Sequence, residues 1–199
     1  LYLSGNIPGF TDCVFETFSG FTTTGSTILG DIESLPSSIL MWRSQTQWLG
    51  GMGIVLLSLA ILPFIGVGGM QLYKAEVPGP TPDKLRPRIR DTARLLWKVY
   101  LLLSRVACGI RLAGGVAFFD SLCHTFTTMP TGGFSPKGAS IGQYDSLYFD
   151  LVITAFMFLA GVNFALHFQV LQGRTDSVWR NPELRFYVLV TVLVTLIVT

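Results

Sequence analysis

The chain has 199 residues, half of them apolar and only 13% charged, against about 25% charged in an average soluble domain. Its apolar residues fall in long blocks, which argues for burial against lipid or neighbouring helices. A net charge of +2 excludes a nucleic-acid surface built on a basic field. Cys13, Cys108 and Cys123 have neither zinc spacing nor even pairing. They read as small buried or interface residues. His124 and His167 lie too far apart to suggest a metal site. The chain starts at Leu1, shows no signal-peptide pattern and ends inside an apolar run, so a piece of a longer protein is expected.

In chain order, Pro8-Gly9 punctuates the start. Thr11 or Asp12 is expected to cap a helix over about 13–21, too short for a bilayer, which takes about 20 residues. The stretch that follows, Thr22-Thr-Thr-Gly-Ser-Thr27, resists helix because three β-branched residues precede a glycine. A helix starting near Pro36 is predicted to run to about Ile65. Gly50, Gly51 and Gly53 lower its helix propensity, which makes sense where another backbone packs closely against them. Trp42 and Trp48 are expected at a membrane interface or behind the short helix.

Residues 66–94 carry most of a run of seven basic residues from Lys74 to Lys98, interrupted by four prolines. They read as a cytoplasmic linker. A span is predicted from Leu95 to about Phe118, with Arg105 facing the helix bundle and Arg111 snorkelling outward. Asp120 is expected to cap a second short helix over 121–129, stopped by Pro130. Thr131-Gly-Gly-Phe134 follows as a second Thr/Gly stretch. Another span runs from Leu147 to Leu171, with Gly161, Asn163 and His167 on its inner face. A basic loop at 173–185 precedes the start of a further span at 186–199.

Two copies of one pattern are present: short helix, Thr/Gly stretch, span. Gly25 laid on Gly132 brings Thr24 onto Thr131, and Gly51 then meets Gly161. Both connecting loops are basic, so the copies are parallel repeats. The domain reading is therefore 1–65 for the end of one unit, 66–94 for a linker, 95–172 for a complete second unit, 173–185 for a linker and 186–199 for the start of a third.

A short helix that descends and an extended Thr/Gly strand that returns would point backbone carbonyls into a pore, where they replace the water lost by a cation. Thr23, Thr24, Gly25 and Ser26 would supply one quadrant. Pro130, Thr131, Gly132 and Gly133 would supply the next, with Phe134 behind or at the mouth. The C-terminal ends of both short helices would favour a cation. Asp12, Glu16, Asp31, Glu33, Asp120, Asp145 and Asp150 would gather cations on the outer side, with Glu16 and Asp120 bracing rather than binding. No phosphate loop or nucleophile–base arrangement appears, so an enzyme is not expected. The fold class is an all-α polytopic membrane protein of potassium-channel-like units. A cation symporter or a non-conducting membrane scaffold are the alternatives.

The motifs Phe18-Ser-Gly-Phe-Thr-Thr-Thr-Gly-Ser-Thr27, Trp42-Arg-Ser-Gln-Thr-Gln-Trp-Leu-Gly-Gly-Met-Gly53, Leu62-Pro-Phe-Ile-Gly-Val-Gly-Gly-Met-Gln-Leu-Tyr73, Gly132-Gly-Phe-Ser135 and Trp179-Arg-Asn-Pro-Glu183 resemble the Trk/Ktr/HKT potassium transporter superfamily, in its bacterial TrkH-type branch. The resemblance covers essentially the whole chain. It implies four linked pore units per subunit, with one filter glycine each, at Gly25 and Gly132 here. It implies K⁺ as the transported ion with no cofactor, and a multi-pass protein of the bacterial inner membrane. A homodimer surrounded by lipid and a cytosolic nucleotide-binding regulatory subunit of the TrkA kind are implied as well.

Overall fold

The computed structural model describes residues 1–53, 85–173 and 175–198. The predicted continuation of the 36–65 helix past 53, most of the 66–94 linker and the motif at 62–73 lie outside the described residues. Within them the chain is helical and no strand occurs. The helices are α1 (Phe10–Phe21), α2 (37–53), α3 (Leu85–Ala113), α4 (Phe118–Thr128), α5 (Leu147–Gly161), α6 (Phe164–Leu171), α7 (Thr175–Trp179) and α8 (Pro182–Val198).

Both short helices start three residues earlier than predicted, and neither uses its predicted cap. The N-cap positions are Gly9 and Ala117, without a side-chain cap bond. Asp12 and Asp120 instead stand in the first turns, where a carboxylate favours the positive end of the helix dipole. The predicted 147–171 span is broken. Val162 adopts an extended conformation after Gly161, and the helix resumes at Phe164.

Among the described residues no helix is both long and apolar enough to cross a membrane. The 29-residue α3 is about 43 Å long, yet its first half contains Arg86, Arg88, Arg90, Arg94 and Lys98. The apolar helices α5 and α8 have only 15 and 17 residues.

The core lies where α2, α3, α4 and α5 meet. Met52, Tyr100, Ala107, Met129 and Phe156 are buried there. The partly buried Trp48 packs against this core, with its ring 5.0 Å from Phe126 of α4 and 5.5 Å from Tyr100 of α3. Its indole N–H donates to Ser104 at 3.2 Å. Aromatic pairs of this kind contribute about 0.5–1.5 kcal/mol beyond area burial. Trp48 thus packs behind a short helix, whereas Trp42 is exposed. The two α3 arginines exchange the predicted roles. Arg105 is exposed and Arg111 is fully buried, because Thr125 and Thr128 of α4 accept hydrogen bonds from its guanidinium at 2.7 and 3.0 Å.

The glycine cluster of α2 has the close approach expected of it. A methyl at Gly50 would strike the backbone of Phe21, and one at Gly51 would strike Pro130. Among the described residues, nothing lies within 4 Å of a methyl at Gly53. Gly50→Val in the full-length protein should therefore lower thermal stability, by about 1–3 kcal/mol for overpacking. Gly53→Ala should be neutral or stabilising by up to about 1 kcal/mol. Thermal unfolding of the two purified variants compares them directly. Equal stability of both would refute the close approach.

Candidate functional site

The exits of α1 and α4 build the site. At the first, the amide of Thr23 donates to Gly20 O at 3.0 Å, and that of Thr24 donates to Ser19 O at 3.0 Å. At the second, Thr131 N–H donates to Thr128 O at 3.0 Å and Gly132 N–H to Thr127 O at 2.9 Å. Thr23 and Thr131 both sit in the left-handed region, at φ 57° and 59°, followed two residues later by Gly25 at 79° and Gly133 at 105°. The two exits are one device repeated at an offset of 108 residues. Gly25 therefore corresponds to Gly133, and Thr24 to Gly132. The register read from the sequence is one residue off. Left-handed geometry at a β-branched residue costs on the order of 1–3 kcal/mol, and two such residues at equivalent places mark a shared constraint.

Both helix exits lead into irregular extended segments, 24–29 and 132–135, that pair in no sheet. The segments meet. A methyl on Gly25 would land on the carbonyl oxygen of Gly132. The carbonyls of Thr23, Thr24, Gly25, Thr131, Gly132 and Gly133 accept no hydrogen bond from other described residues. Two other predicted site residues do different work. The carbonyl of Ser26 accepts from Ser19 Oγ at 2.6 Å. Pro130 is buried against Gly51, and its carbonyl accepts from Thr131 Oγ1 at 2.6 Å. Among the described residues no group of His, Cys, Asp and Glu side chains gathers as a metal cluster. The polar surface on offer is carbonyl dipoles at the negative ends of two helices.

The first segment is pinned from behind. Glu16, 1% exposed, accepts through Oε1 from Ile28 N–H at 2.8 Å and from the Thr27 hydroxyl. Its Oε2 accepts from Arg43 Nε at 3.1 Å. Arg43 Nη2 reaches Thr27 Oγ1 at 3.1 Å, and its guanidinium carbon lies 4.2 Å from the centre of the Phe134 ring. One α2 side chain thus touches both segments. Gln47, one turn on and fully buried, accepts from Phe134 N–H at 3.1 Å.

Among the described residues the second exit has no ion pair of this kind. His124 stands at the Glu16 position, 108 residues on, and packs its ring on Tyr144 and Phe149. Lys137 and Asp120 approach to 3.9 Å. Glu33 ties the loops that follow the two segments together by accepting from Gly138 N–H at 3.2 Å. Sequence reasoning assigned Glu16 a bracing role but missed Arg43 and Thr27 as its partners, and missed Gln47 as the partner of Phe134. The available signal was Arg43 and Gln47 at i and i+4, one polar face on a helix that becomes apolar.

The TrkH family model, described as a cation transport protein, matches residues 1–199. The Trk system potassium uptake protein TrkH of Salmonella typhimurium is 50% identical over 192 residues, 95% of this chain and 40% of that protein. The Trk system potassium uptake protein TrkG of Escherichia coli is 44% identical over 185 residues, 91% of this chain and 38% of that protein. The crystal structure of the potassium transporter TrkH from Vibrio parahaemolyticus superposes with a TM-score of 0.80 at 37% identity, covering 98% of this chain and 39% of that one. The chain thus spans about two fifths of the length of these relatives. A family match over all 199 residues, identity near 50% to named relatives and a shared helical fold have one meaning: this chain belongs to the TrkH family.

Proposed function

We propose that this chain contributes two adjacent quarters of a carbonyl-lined path for K⁺ through a bacterial inner membrane. The observation that carries the reading is the repeated helix exit, whose carbonyls accept no hydrogen bond from the described residues and whose two segments touch where Gly25 meets Gly132. Carbonyls of Thr23, Thr24 and Gly25 line one side, and those of Thr131, Gly132 and Gly133 the next. Ser26, inside the first segment, and Pro130, just before the second, hold the backbone through their own carbonyl hydrogen bonds. Two segments do not close a ring, and a single-file pore of this kind uses four. The remaining quarters then come from elsewhere in the full-length protein. In this reading 1–65 completes one unit, 95–172 forms a second and 186–199 opens a third, joined by cytoplasmic linkers at 66–94 and 173–185. The α2, α3, α5–α6 and α8 segments are its membrane-embedded parts. The relatives named as potassium uptake proteins support K⁺ as the ion. A homodimer and a cytosolic nucleotide-binding subunit of the TrkA kind belong to the same proposal.

The path works by substitution of solvent. A cation sheds water only where fixed dipoles replace it, and strained backbone held from behind supplies dipoles that need not reorganise. Coupled symport through a carboxylate relay finds little support, because the buried Glu16 is committed to Arg43, Thr27 and Ile28.

In proteoliposomes holding the full-length protein, Gly25→Ala should reduce K⁺ flux by about tenfold or more. The new methyl meets a neighbouring carbonyl and a left-handed φ that costs on the order of 1–2 kcal/mol. Gly132→Ala should lower the K⁺/Na⁺ flux ratio. Wild-type flux and ratio in both variants would refute the assignment. Glu16→Gln strands a buried guanidinium and should destabilise the protein by about 3–5 kcal/mol, while Glu16→Gln with Arg43→Met should recover most of that loss. Thermal unfolding of the two single variants and the double variant tests the coupling. Additive losses would show that the pair does not act as one.

A further inference from the structure

Gln47 lies in neither segment yet adjoins both. Its side chain is fully buried, and its Oε1 holds the backbone N–H of Phe134 at 3.1 Å. The carboxamide lies against Gly132, since a methyl there would sit 2.5 Å from its Cδ and 2.7 Å from its Nε2. The same Nε2 would be 3.4 Å from a methyl on Gly25. This nitrogen has no hydrogen-bond partner among the described residues. A buried amide donor is thus left beside two glycines whose carbonyls are themselves uncommitted.

The opposite flank of the second segment is built differently. The helix that begins at 37 is repeated by the one that begins at 147, so Arg43 corresponds to Ile153 and Gln47 to Met157. Those two apolar residues line a cleft of about 200 Å³ together with Thr131, Gly132 and Gly133. The polar wedge is therefore used on one flank and replaced by hydrocarbon on the other.

We infer that Gln47 is a positioning residue that sets the spacing of the two segments at Gly25 and Gly132, and thereby the discrimination of K⁺ from the smaller Na⁺. The inference rests on the carbonyl-path reading above. Fixing Phe134 N–H fixes the peptide just beyond Gly133. The carboxamide resting on Gly132 keeps that residue from moving back into α2. Removing the amide frees both constraints, and a softer frame can close around Na⁺.

The test is K⁺ and Na⁺ flux in proteoliposomes holding the full-length protein, with Gln47→Leu, Gln47→Glu, Gly25→Ala and Gly132→Ala side by side. Gln47→Leu should lower the K⁺/Na⁺ ratio by about tenfold, chiefly through raised Na⁺ flux, in keeping with the loss of one buried hydrogen bond. Gln47→Glu keeps an acceptor for Phe134 N–H and should retain more of the ratio than Gln47→Leu. Gln47→Met keeps the length of the side chain and replaces Gln47→Leu if that variant does not accumulate. A ratio unchanged in Gln47→Leu or Gln47→Met, beside a ratio altered in either glycine variant, overturns the role of Gln47 and leaves the carbonyl path standing. A ratio unchanged in every variant overturns the carbonyl path and the inference with it.

Discussion

The buried Glu16–Arg43 pair is the interaction on which the arrangement depends. Both side chains are almost wholly removed from water. Desolvating two ions is expensive, and a hydrophobic pair of the same volume is often as stable. What such a pair does supply is direction. The carboxylate has one oxygen for Arg43 and one for the Thr27 hydroxyl and the Ile28 N–H, so the far end of the first segment has one place to go. The guanidinium then presents its face to Phe134, and the second segment is located against the first. A helix exit with a left-handed threonine would relax toward ordinary geometry if its far end were free. Here the far end is held by charge.

The same duplicated frame carries different chemistry in its second copy. His124 and Ile153 occupy the places of Glu16 and Arg43. The positive charge near α4 comes from Arg111, which reaches across from α3 to two threonine hydroxyls. Among the described residues it has no carboxylate within ion-pair distance. One copy is braced along its own segment by an ion pair. The other is braced along its own short helix by neutral acceptors. Repetition of backbone and divergence of side chains are compatible because the exit geometry rests on main-chain bonds to Ser19 and Gly20, or to Thr127 and Thr128. Those bonds need no particular side chain.

Much of this was legible in the residues. Two short helices followed by Thr/Gly stretches, the glycines of α2 and the bracing role of Glu16 all follow from propensity and from the scarcity of charge. The exact register was not legible. Thr-Gly resembles Thr-Gly at an offset of 107, whereas the structural match at 108 is set by Thr23 and Thr131 in a conformation that β-branched residues avoid. Helix caps misled in the same way. Asp12 and Asp120 are good capping residues, yet the chain enters each helix one turn earlier, and only the fold decides which turn comes first. Arg105 and Arg111 exchanged places because depth along a helix says nothing about which face meets α4. The break at Val162 likewise left no mark beyond Gly161 and Asn163, which read equally well as small and polar positions on an unbroken inner face.

Gly50 and Gly51 are consecutive on α2, and they meet different helix exits: Phe21 at the end of α1 and Pro130 just past the end of α4. Consecutive helical residues differ by about 1.5 Å along the axis and by roughly a quarter turn around it. The two exits are therefore gauged against one rod at almost the same depth, on neighbouring sides of it. A slide of α2 along its axis displaces both together and preserves their level. On the proposed carbonyl path, two rows that share one ion would have to stay level before they could be correctly spaced, and a pair of adjacent glycines is the smallest ruler that could keep them so.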